Sequence, residues 1–157
     1  MHVTGKQILV PALLAVFLGA GVPAAHAHDH EHSHEADAPQ QLTLKNGHKW
    51  ATDISLRQAM SRIRAEMAAS QPFIHEGKIS LQQYQGLAKK VNEQIAFMVQ
   101  NCKLDKEADA MLHLVLAEII AGADALAGQD MDKAHQGAER ITHALENYGA
   151  YFEHPGW

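Results

Sequence analysis

Cysteine is almost missing from this chain: Cys102 is the single thiol among 157 residues. No intramolecular disulfide can form, so the fold has to be held by packing alone. Clustered positive charge is missing too. Thirteen Lys and Arg stand against eighteen Asp and Glu, and the basic residues are spread through helical segments, which argues against a nucleic-acid partner. The almost unbroken apolar run Ile8 to Ala20, near the amino terminus, is too short for an ordinary membrane span.

That run reads as a leader. Met1 to Gln7 is short and carries Lys6, the apolar stretch ends at Gly21, Val22 and Pro23, and Ala25, His26, Ala27 supplies a small-x-small cleavage site. The pattern is that of a signal peptide over residues 1–27, and it implies a secreted, periplasmic protein with no membrane span after cleavage. No cysteine follows the cleavage site, as a lipoprotein anchor requires.

Behind the leader the twelve histidines cease to be scattered: His26, His28, His30, His32 and His34 alternate with other residues. In His28–Asp29–His30–Glu31–His32–Ser33–His34–Glu35, imidazoles are interleaved with carboxylates, a composition that binds borderline divalent metals. Cleavage after Ala27 would leave a free α-amine with His30 in third place. The amine, two deprotonated amides and that imidazole close three chelate rings in a plane, the geometry preferred by Cu(II) and Ni(II) but not demanded by Zn(II). The motif resembles the amino-terminal copper and nickel binding motif of many unrelated proteins, and a one-residue shift in cleavage abolishes it. The competing reading is a solvated, pH-responsive tether, because histidine titrates near neutrality. Residues 28–41 lack large apolar side chains, which predicts a disordered tail.

The remainder, 42–157, is long enough for one core and too short for two ordinary domains. Leu42, Thr43 and Leu44, then Lys45, Asn46, Gly47 and Trp50, contain a turn signal between short apolar groups, consistent with a small hairpin or an extended lead-in. Four amphipathic stripes follow. Asp53 caps a first helix whose Leu56, Met60, Ile63 and Met67 share a face and which is expected to end before Gln71 and Pro72. Ser80 caps a second, with Tyr84, Ala88, Val91, Ile95, Met98 and Cys102 on one stripe, ending near Lys103. Asp105 caps a third, striped by Ala108, Leu112, Val115, Ile119, Gly122 and Leu126. The fourth starts near Asp130 and turns Ala134, Ala138, Ile141, Leu145, Tyr148 and Phe152 inward before Pro155. Four stripes joined by short loops predict an all-α, up-down-up-down antiparallel four-helix bundle. Core packing accounts for Met60, Met67 and Met98, and for Cys102 as a small buried hydrophobe.

From Thr52 to Phe152 this architecture resembles that of the soluble b-type cytochromes and cytochrome c-prime, small secreted bundles that hold haem between helices. The resemblance implies a fold and a compartment. Cytochrome c-prime attaches haem through Cys-x-x-Cys-His in the last helix, and this chain has Cys102 alone, in the second, so covalent haem is excluded. The b-type pattern asks for a methionine in the first helix, where Met60 or Met67 would serve. It also asks for an inward histidine near the end of the last, where this chain has Tyr148, Gly149, Ala150 and Tyr151; His143 lies off the inward stripe. Axial haem ligation is therefore not expected.

Other histidines offer weaker chemistry. His135, Glu139 and His143 follow one another at steps of four, with Glu146 three residues on, on the face opposite the stripe; a solvated polar row is the expectation, an open metal-buffering row the alternative. His113, beside Leu112 and Leu116, is expected at the edge of the core with a satisfied hydrogen bond. His75 falls in the first loop, and His48 and His154 stand near Trp50 and Trp157 as parts of aromatic lids. No Glu-x-x-His pair and no Ser or Cys nucleophile with a companion base is visible, so catalysis is not expected. The expected function is capture, buffering or delivery of copper, nickel or zinc through His28, His30, His32 and His34, with an envelope transporter or sensor as recipient. Two alternatives stand beside it: an envelope interaction or stress module with an incidental tail, and haem or small-ligand binding in the bundle.

Overall fold

A computed structural model describes residues 41–157. Four helices account for most of them: α1 (Ile54–His75), α2 (Leu81–Asn101), α3 (Lys106–Ala127) and α4 (Met131–Tyr151). No strand occurs among the described residues, only two isolated bridges. Each helix begins where a local acceptor offsets its orphan amides. Asp53 accepts from Leu56 N at 2.6 Å, Asp105 from Ala108 N at 2.8 Å, and Asp130 from both Asp132 N and Lys133 N. Ser80 and Gln83 form a reciprocal capping box, each side chain accepting from the other's backbone amide.

α1 is one turn longer than the sequence suggests, for Pro72 lies inside it. Proline removes one amide from the ladder and usually stops a helix. Here the next turn is retained because Ile74 is buried at 5% exposure, and the helix stops only where Gly77 takes φ +65°.

The four stripes meet in one core. Leu56, Met60, Ile63 and Met67 of α1, Tyr84, Leu87, Ala88, Val91 and Met98 of α2, and the expected residues of α3 and α4 are buried; Ile95 and Cys102 are only half-buried against them. Among the described residues no buried polar or charged residue interrupts this core. α3 is apolar and long enough to cross a membrane by length and composition, but here its apolar face packs on α2 and α4. Sequence neighbours pack together, and α1 also meets α4. α3 and α4 approach closely, for a Cβ on Gly137 would stand 2.6 Å from Gly122 O and one on Gly122 would stand 2.6 Å from Ile141 Cγ1.

The lead-in to α1 is a two-residue turn. Lys45 and His48 exchange both backbone hydrogen bonds around Asn46 (φ 52°) and Gly47 (φ 82°). Trp50 then enters the core at 6% exposure, its amide donating to Tyr151 O and its indole Nε1 to Thr43 O.

Candidate functional site

His28, His30, His32 and His34 lie outside the described residues, as does the leader expected over 1–27. The remaining candidates are all described. In the α4 row, His135 Nε2 stands 3.5 Å from Glu139 Oε1, while His143 Nδ1 pairs with Glu146 Oε2 at 3.1 Å. Glu139 thus turns to one histidine and His143 to a different carboxylate. His135 also shares a hydrogen bond with Tyr84 Oη at 3.3 Å. Both histidines are exposed, so the polar-face reading describes their placement. Among the described residues no group of three or more His, Cys, Asp or Glu converges as a metal-holding set.

His113 departs from expectation. It is exposed on α3, with Nδ1 2.8 Å from Asp109 O, rather than at the edge of the core. The helical phase explains this: Leu112, Val115, Leu116 and Ile119 take the buried face, and position 113 points away from it. His75 ends α1 instead of sitting in a loop, because the helix runs through Pro72. Met60 and Met67 are core residues at 0% and 3% exposure, and His143 faces solvent; the structure does not bring them together.

Cys102 caps the end of α2, half-buried. Burial pushes its thiol up to about 11, helped by the charges of Asp53 and Asp109 and by a hydrogen bond to Asp53. A thiol so held is a poor nucleophile and a poor ligand at neutral pH.

The most organised polar cluster sits where the chain leaves α4. Tyr148 is fully buried and stacks on Phe152 with ring centroids 5.2 Å apart. Its hydroxyl shares a hydrogen bond with His154 Nδ1 at 3.1 Å, and His154 Nε2 shares another with Ser61 Oγ of α1 at 3.1 Å. Burial of Tyr148 keeps its phenol neutral far above the ordinary range. Burial, then the charges of Arg57 and Arg64, holds the His154 imidazole below its usual value, so it too is neutral near pH 7. Trp157 completes the lid, its ring 4.7 Å from that of Tyr148 and 4.9 Å from that of His154. The indole lies on Gly149, where any Cβ would collide with it.

The lid expected from His154 and Trp157 is therefore present, while His48 is exposed on the turn before Trp50. The Ser61–His154 contact joins positions 93 residues apart. No local motif signals it; only the phase of Ser61 on α1, beside the stripe of Met60 and Ile63, places it on the side that the returning segment covers. Beside the lid, between α1 and α4, runs an open groove of about 390 Å³.

No protein-family model, curated protein or solved structure matches the chain.

Proposed function

We propose that this protein is a secreted, periplasmic metal carrier, with a leader over 1–27, a ligand-rich tail over 28–41 and a bundle domain over 42–157. His28, His30, His32 and His34 capture copper, nickel or zinc, and the bundle is the soluble body that presents the cargo to an envelope transporter or sensor. The observation that carries the reading is the run His28–Glu35, where four imidazoles alternate with three carboxylates and a serine directly behind a cleavage signal. Ligand competition within such a run favours rapid exchange over a fixed site, which suits buffering and transfer. Binding requires neutral imidazoles, so it releases protons and weakens in mild acid.

For the body, we infer an up-down-up-down antiparallel arrangement. Three contacts support it. Asp53 at the start of α1 accepts from Lys103 N beyond the end of α2, and Gln85 near the start of α2 donates to Gly128 O beyond the end of α3. Trp50, before α1, donates to Tyr151 O at the end of α4. An all-apolar core leaves the surface and the tail as the places where chemistry can reside.

Deletion of residues 28–35 from the secreted protein tests the reading. The expected result is loss of bound Cu(II), Ni(II) and Zn(II) at equilibrium, with the helical circular-dichroism spectrum unchanged. Unchanged metal stoichiometry after deletion would transfer the function to the bundle surface and overturn the carrier reading.

A further inference from the structure

The groove between α1 and α4 joins an apolar floor to the Arg64 guanidinium, which forms no ion pair among the described residues. Met67 and Leu145 come from the core edge, Ala68 is exposed beside them, and the Trp157 indole closes one end. Its volume, about 390 Å³, lies in the range of small-molecule sites. The guanidinium of Arg64 lies 4.8 Å from the centre of the Trp157 ring, a cation–π arrangement that holds the side chain along the rim. Among the described residues no carboxylate comes within ion-pair distance of Arg64, and its side chain rests on the Trp157 ring. The other charge at the groove, Glu146, turns toward His143 Nδ1 at 3.1 Å rather than pairing with Arg64, and its carboxylate remains as a negative charge on the rim.

Planar guanidinium donors match a carboxylate in pairs, and an adjoining apolar trough rewards burial of a short hydrocarbon or aromatic body. A neutral apolar molecule would leave the Arg64 donors unused, and a cation would meet like charge there. We propose that this groove binds a small apolar carboxylate, its head on Arg64 and its body along Met67, Ala68, Leu145 and the Trp157 ring. The lid explains why the site is preformed: Gly149 leaves room for the indole, and Tyr148 and His154 brace it from behind. Its lining residues are other than His28, His30, His32 and His34, and the proposal invokes no metal.

The two tryptophans make the test internal. Trp157 lines the groove, whereas Trp50 is buried with its Nε1 donating to Thr43 O at 2.6 Å. Sodium octanoate is titrated into the metal-free, ¹⁵N-labelled full chain, and both indole resonances are followed, with 1-octanol and octylammonium as matched probes. Saturable movement of the Trp157 resonance by octanoate is expected, with Trp50 still. Affinity should fall about tenfold in Arg64→Gln, the size of one lost charge-assisted contact. It should rise severalfold in Glu146→Gln, where a repelling charge is removed, which tests the proposal even if Arg64→Gln fails to fold. Equal binding of 1-octanol or octylammonium, an unaltered affinity in Arg64→Gln, or no movement of Trp157 would each overturn the proposal.

Discussion

At Cys102 and His154, burial on one side and a charged neighbour on the other decide what each group does. The Cys102 thiol, pushed up to about 11, should alkylate with iodoacetamide at pH 7.5 about a hundredfold more slowly than an unperturbed thiol. Asp53→Asn removes the neighbouring charge while keeping a capping oxygen, and should speed the reaction; an unchanged rate would mean that burial alone governs the thiol. For His154 the sign runs the other way from an ion-paired histidine. Its folded-state value lies below the ordinary one near 6.5, so the unfolded chain binds more protons in that window. The contribution is full above about pH 6.5 and declines as pH falls toward the depressed value. The groups facing it are Arg57, Arg64 and Ser61 from α1 and Tyr148 from α4. Urea midpoints measured from pH 7.5 to 5.0 should therefore fall less steeply in His154→Gln than in the natural chain. A parallel pair of curves would rule out this coupling.

Within the helices, what could be read from sequence was what depends on near neighbours. Asp53, Ser80, Asp105 and Asp130 each cap by reaching two or three residues ahead; the first three caps were legible, and Asp130 only as the approximate start of its helix. The inward stripes were legible for the same reason, since 3.6-residue periodicity is local. Pro72 was misread as a stop because the compensation, burial of Ile74 beneath it, is tertiary. His113 was misplaced because adjacency to Leu112 says less than helical phase. The α3–α4 approach carries a testable consequence. Gly137→Ala would set a methyl 2.6 Å from Gly122 O and 2.8 Å from Ala125 Cβ, contacts that backbone cannot yield cheaply. A loss of about 1–3 kcal/mol in urea unfolding is expected, the usual range for overpacking. Gly86→Ala, which meets nothing within 4 Å, is the control and should stabilise slightly or leave stability unchanged. Equal effects at the two positions would contradict the close crossing.

On the scale of the whole molecule, the described residues form a packed body, and the proposed metal-capturing run lies outside them. The body's lid was half legible: His154 and Trp157 announced an aromatic end, but Ser61 and Arg64 came to it only through the return of the chain over α1. The proposed carrier reading rests on composition next to an expected leader, and its sharpest form is the planar nitrogen site that cleavage after Ala27 would create. The most direct measurement is the amino-terminal mass of the secreted protein, followed by Cu(II) titration with the visible d-d band as readout. A mass beginning at His28 and a tight one-to-one planar nitrogen complex are expected. Processing at another residue, or Cu(II) binding no tighter than that of a peptide with residues 28–35 scrambled, would contradict the account.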